Sequence, residues 1–132
     1  MSGNPIVMAA GLATLTKLKN NLEWYNHIEN IGIMLENGIK EISDKYNIPV
    51  IINRVGGMFT VFFTDLEEVR CYDDVKTCKV ERFNRYFEHM IKNGINIAPS
   101  QFEAVFLSVK HEECHVEKFL KSFEEFAVSE SN

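Results

Sequence analysis

The chain has 132 residues, enough for one domain with a real core, and its 45% hydrophobic content with ten Phe excludes a disordered chain. A net charge of −5 gives no general attraction for nucleic acid or an anionic membrane. No window approaches the roughly 20 apolar residues that span a bilayer, and no basic segment followed by an apolar run opens the chain as a signal peptide would.

The first predicted element is a helix over Ile6 to Lys19. Asn4 is placed to cap it, and Pro5 sits where the first turn tolerates a missing N–H. Lys17 and Lys19 suit the negative end of the helix dipole. Ala9, Ala10, Gly11 and Ala13 make a small face suited to tight helix packing. A second helix runs from about Leu22 to Tyr46, with Trp24, Ile28, Ile31, Leu35 and Ile42 on one stripe. Gly32 and Gly38 weaken it locally, and Asn47 and Pro49 stop it.

The period then changes. Val50–Val55 and Met58–Phe63 read as two strands, with Gly56-Gly57 supplying the positive φ of a tight hairpin. Asp65, Glu67 and Glu68 mark an acidic loop. A third helix is expected over about Asp74 to Asn93. Val80, Phe83, Phe87 and Met90 or Ile91 form its buried stripe, Glu81 and Arg85 pair outside, and Gly94 ends it. Ile95–Ala98 and Ala104–Ser108 read as two more strands joined by Pro99–Glu103. A last helix covers about Glu112 to Val128, with Val116, Phe119, Leu120 and Phe123 inward and a frayed polar tail. The order α-α-β-β-α-β-β-α defines a single α+β domain over residues 1–132. Its helices cover one face of a small, mainly antiparallel sheet of about four strands.

Few residues form a chemical signature. Cys71, Cys78 and Cys114 are odd in number and contain no CxxC pair, so free thiols in a reducing cytoplasm are expected. Cys71 and Cys78 read as structural. His111 and His115 lie four apart, with Glu112 and Cys114 nearby, but zinc needs three or four converging ligands and no third is evident. The competing reading is a helix N-terminus with surface histidines. Gly56-Gly57 joins two strands and is no phosphate loop. No Ser-His-Asp or Cys-His signature is present. Pro99–Glu103 carries a hydroxyl, an amide and a carboxylate between two apolar strands, either a binding loop on a rigid scaffold or an ordinary polar hairpin loop.

Several segments together resemble one family. Ser2-Gly3-Asn4-Pro5 followed by Met8–Leu15 resembles the opening of the C-terminal part of class III aminotransferases. Three further segments are narrower. They are Asn53–Phe59 continuing into Phe62-Phe63-Thr64; Val69-Arg70 through Tyr72-Asp73-Asp74 to Glu81-Arg82-Phe83; and Ala98–Ala104 before Phe106-Leu107-Ser108 and His111. In this order and spacing the set is similar to glutamate-1-semialdehyde 2,1-aminomutase. It covers nearly the whole chain, and Ser100-Gln101-Phe102-Glu103-Ala104 is its most specific part.

The resemblance implies the C-terminal small domain of a fold-type I pyridoxal-phosphate enzyme, acting in a cytoplasmic homodimer. That family converts glutamate 1-semialdehyde to 5-aminolevulinate for tetrapyrrole synthesis. It implies that Glu103 lines the substrate pocket and handles amino groups, with Ser100 and Gln101 beside it. It also implies that Ser2 and Gly3 form a turn approaching the cofactor phosphate of the neighbouring subunit. The Schiff-base lysine of the family matches none of the ten lysines here. The phosphate-binding threonine that stands two residues before the Ser-Gly-Asn-Pro motif is also absent. Gly57 replaces a common serine, Cys71 replaces a common asparagine, and Val109-Lys110 precedes His111. Met1 lies directly before a capping motif in mid-pattern, so a piece cut at a domain boundary is expected, inactive alone and binding no cofactor tightly. An apolar surface left by the missing large domain would favour self-association. Two other readings are another class III aminotransferase with a different substrate, and a free-standing, non-catalytic interaction module.

Overall fold

The computed structural model describes residues 3–131. Its elements are α1 (Pro5–Lys19), α2 (Glu23–Tyr46), β1 (Val50–Val55), β2 (Met58–Phe63), α3 (Tyr72–Thr77), α4 (Val80–Lys92), β3 (Val105–Phe106) and α5 (Glu113–Ser131). The α+β class is borne out, with three antiparallel strands in the order β1-β2-β3 among the described residues rather than about four.

Local chemistry sets the boundaries. The Asn4 side chain accepts the Ile6 and Val7 N–H groups at 3.0 and 3.3 Å and opens α1 as expected. Asn47 adopts the left-handed conformation (φ 54°) and Ile48 N–H bonds the Ser43 carbonyl, which closes α2. Gly56, at φ 57°, turns the β1–β2 hairpin. Gly32 and Gly38 of α2 are contact points. A Cβ on Gly32 would come within 2.9 Å of the Gly56 carbonyl oxygen, and one on Gly38 would collide with the Leu120 side chain. The helix propensity lost at these positions lets the hairpin tip and α5 approach.

Strand β2 divides the interior. Phe59, Val61 and Phe63 face α2, α4 and α5 in the main core, while Phe62 packs on the other face with Val69, Cys78, Ile51 and Val75. Burial pushes the Cys78 thiol up. Ile31 and Leu35 of the expected α2 stripe are buried, Ile42 packs at the margin, and Ile39 is added. Val116, Phe119 and Phe123 point inward from α5 with Phe126 and Ala127.

Several expectations change. The third helix is two, because Lys79 gives its N–H to the Phe63 carbonyl at 2.8 Å and Cys78 is extended (ψ 154°). Along α4, Phe83, Tyr86 and Met90 are buried, whereas Val80 and Ile91 are exposed. Ile95–Ala98 is not a strand. On that side β2 pairs with Val105–Phe106, and the Thr60 hydroxyl donates to the Glu103 carbonyl, while residues 95–98 join no ladder. Arg85 pairs with Glu130 of α5 rather than Glu81, and this contact continues α5 through the polar tail to Ser131. Helix α1 buries none of its residues. Its small face meets no partner among the described residues, and Ile6, Leu12 and Leu15 are each more than two-thirds exposed at 80%, 69% and 67%.

Glu130 accepts from Arg82 at 2.8 Å and from Arg85 at 2.5 Å. The Arg85 and Arg82 guanidiniums hold its carboxyl below the ordinary value near 4.5. Glu130→Gln is expected to lower the unfolding free energy by about 1–2 kcal/mol at neutral pH. A lowered folded value means the stabilisation is complete above the unfolded value and is lost as pH falls through the folded one. Urea titrations should therefore show the difference between wild type and variant vanishing in acid.

Candidate functional site

The Pro99–Glu103 segment forms a turn against the outer edge of β2 and the start of α3. Ser100 makes the turn: its hydroxyl accepts the Phe102 N–H at 3.2 Å and its carbonyl accepts the Glu103 N–H at 3.0 Å. Thr60 of β2 fixes the far end by donating to the Glu103 carbonyl at 3.2 Å. Gln101 is 3% exposed and donates from Nε2 to the Val75 carbonyl of α3 at 2.9 Å. Its Oε1 is buried without a partner among the described residues.

Helix α3 is held for this contact by Asp74, whose carboxylate accepts the Arg70 and Cys71 N–H groups at 2.8 and 3.0 Å. These two bonds keep the Asp74 carboxyl below its ordinary value. Phe102 and Tyr72 then meet as an exposed ring pair, centroids 5.4 Å apart.

The turn presents an exposed Glu103 side chain on a fixed backbone. The void beneath it, shared with Ser100 and Tyr86, is about 10 Å³. That is room for at most one water and far too little for a substrate. Any substrate contact of Glu103 is therefore made outward. Thr60, Val75 and Asp74 are supports that sequence reasoning missed; only the outward position of Thr60 on an alternating strand could have signalled one of them.

The other candidates separate. Gly3 has φ 88° and open space around it, and Ser2 lies outside the described residues. In the first turn of α1, Pro5 has no N–H, Ile6 and Val7 are bonded to the Asn4 side chain, and Met8 N–H is bonded to the Asn4 carbonyl. An anion here would have to be met by backbone before Pro5. His111 and His115 make no metal site. The Nδ1 atoms accept the Ser108 and Glu112 N–H groups at 2.9 and 3.0 Å. Each neutral ring therefore keeps its proton on Nε2, the atom a metal would need bare. No cluster of three or more metal-ligating side chains occurs among the described residues.

The fold has close likenesses among solved structures. An omega-transaminase from Sphaerobacter thermophilus superimposes with TM-score 0.76 at 22% identity, over 98% of this chain and 28% of that one. A transaminase with PLP bound gives TM-score 0.74 at 18% identity, over 96% and 27%. The architecture is one that these transaminases contain over little more than a quarter of their length. Sequence comparison narrows the class, although no family model matches the chain. Glutamate-1-semialdehyde 2,1-aminomutase of Clostridium beijerinckii is 70% identical over 131 residues, 99% of this chain. Those of Clostridium botulinum and Clostridium tetani are 65% and 51% identical over 130 and 126 residues. Over nearly its whole length the chain is similar to glutamate-1-semialdehyde 2,1-aminomutases. It spans about 30% of the length of these relatives.

Gln101→Glu removes the donor to Val75 and sets a buried carboxylate against a carbonyl. It is expected to destabilise the fold by about 2 kcal/mol or more at neutral pH, measured by denaturant unfolding. Gln101→Ala should cost less, because it removes the unpartnered oxygen along with the donor.

Proposed function

We propose that this chain is the C-terminal lobe of a glutamate-1-semialdehyde 2,1-aminomutase, an isomerase that converts glutamate 1-semialdehyde to 5-aminolevulinate for tetrapyrrole synthesis. The observation that carries this reading is the 70% identity over 99% of the chain. The likenesses to transaminases, at 22% identity or less, support the fold and not another substrate. An interaction module that works alone is disfavoured, because the chain matches only about 30% of each relative.

Pyridoxal phosphate supplies the amino-transfer chemistry of the whole enzyme. The described residues do not make its cradle by themselves. The first turn of α1 has its amides committed, and Lys40, Lys45, Lys76, Lys79 and Lys92 are tied up in surface ion pairs. What this chain contributes is a carboxylate on a rigid turn. Glu103 meets the amino groups of the substrate, while Ser100 and Gln101 shape the backbone that carries it. The family resemblance assigns Ser2 and Gly3 to the cofactor phosphate of the neighbouring subunit, and the positive φ of Gly3 supports a close backbone approach there.

The partners in this reading are the enzyme's own large domain and a second subunit. Helix α1 supports them: it is apolar all round yet unburied, as a helix enclosed by other parts of an assembly would be. A cytoplasmic location is part of the same reading. Among the described residues no helix is long and apolar enough to cross a membrane.

In the full-length enzyme, Glu103→Gln is expected to lower turnover of glutamate 1-semialdehyde at least about tenfold with an unchanged circular dichroism spectrum. Unchanged turnover removes Glu103 from the site. The 132-residue chain alone is expected to show neither a bound-cofactor absorbance band nor 5-aminolevulinate formation; either one overturns its assignment as a dependent lobe.

A further inference from the structure

A second cavity, of about 290 Å³, opens between α2, α5 and the segments that flank β3. Ile31, Leu35, Phe59 and Phe119 give it apolar walls, and residues 94–97 line another side. Its ionisable lining groups are His111, His115 and Lys118, with no carboxylate among them. Glu103 borders a different void.

The hydrogen bonds fix what each group offers. Both imidazoles accept backbone N–H groups at Nδ1, so each neutral ring offers an Nε2–H donor. The ring centroids are 5.9 Å apart. The His27 ring donates from Nε2 to the His111 carbonyl at 2.8 Å, which ties this corner to α2. Lys118 forms no salt bridge among the described residues. Two imidazoles and an ammonium-bearing side chain thus line a space whose walls are mostly hydrocarbon, with Asn96 as a further polar group.

The geometry points to a binding site for a small carboxylate with an apolar body, on the order of ten non-hydrogen atoms. The walls take the body. The Lys118 ammonium and the imidazole N–H groups take the carboxylate through charge-assisted hydrogen bonds. A neutral ligand of the same shape gains only the walls, and a cation meets Lys118 with no compensating acid in the lining.

The test is a titration of the 132-residue chain with phenylbutyrate, phenylbutanol and phenylbutylamine, followed by calorimetry and amide NMR shifts. Phenylbutyrate is expected to bind with a dissociation constant on the order of 1 mM or below. It should move the amides of residues 94–97, His111, His115 and Val116. Phenylbutanol should bind about tenfold more weakly, and phenylbutylamine more weakly still. Lys118→Gln, at an exposed position, should weaken the acid about tenfold and leave the alcohol unchanged. Equal affinity for acid and alcohol, shifts confined to α1, or no saturation by about 20 mM overturns the assignment.

Discussion

Tyr86 joins the parts of this domain. Its ring meets Phe63 of β2, Phe83 of its own helix, and Phe123 and Phe126 of α5, with centroids 5.5 to 5.9 Å apart in edge-on contacts. It is 2% exposed, and Phe63 and Phe123 are fully buried. Truncating a ring in such a place costs about 3–5 kcal/mol, a large part of a small domain's stability. The Tyr86 hydroxyl is buried without a partner among the described residues, and burial pushes its titration far above the ordinary phenol range. The domain tolerates that orphan because the ring fixes α4, α5 and the end of β2 at once.

The Glu103 turn inherits its position from that cluster. Phe59, Val61 and Phe63 are held inward, so Thr60 must point outward. Thr60 then pins the Glu103 backbone. Phe62, on the same outward face, packs with Val75, whose carbonyl receives Gln101. A carboxylate on a surface turn is ordinary, but a turn fixed at both ends to buried elements presents that carboxylate with a set direction.

The hairpin tip depends on a different contact. Arg54 reaches Glu36 at 2.7 Å and Glu29 at 2.9 Å and donates to the Gly56 carbonyl at 3.0 Å. The hydrogen bonds to Glu36 and Glu29 raise the pKa of the Arg54 guanidinium, and Lys40 with Arg54 lowers that of the Glu36 carboxyl. Arg54 belongs to the Asn53–Phe59 segment that carries the family resemblance. In this lobe its work is to lock the hairpin on α2 where Gly32 leaves space.

Much of this was legible in the chain. Helices α1, α2 and α5, the β1–β2 hairpin and most core positions follow from local periodicity, capping residues and turn glycines, which act over a few neighbours. The Ser100–Glu103 segment stood out as a candidate site only through its resemblance to a family. What was not legible depends on partners distant in sequence. The break between α3 and α4 exists because Phe63 takes the Lys79 amide. Ile95–Ala98 has strand composition but pairs with no strand, and it is Val105–Phe106 that pairs with β2. Arg85 had a local acid in reach and chose Glu130, which is nearly buried and also held by Arg82. His111 and His115 had metal spacing, and backbone N–H groups decided their tautomers instead. The sequence by itself determined which segments become helix and hairpin and which face of each is apolar, because those preferences are local. Only the tertiary structure decided which hydrogen-bonding groups remain available, because each bond is awarded among groups that meet only after the chain has folded.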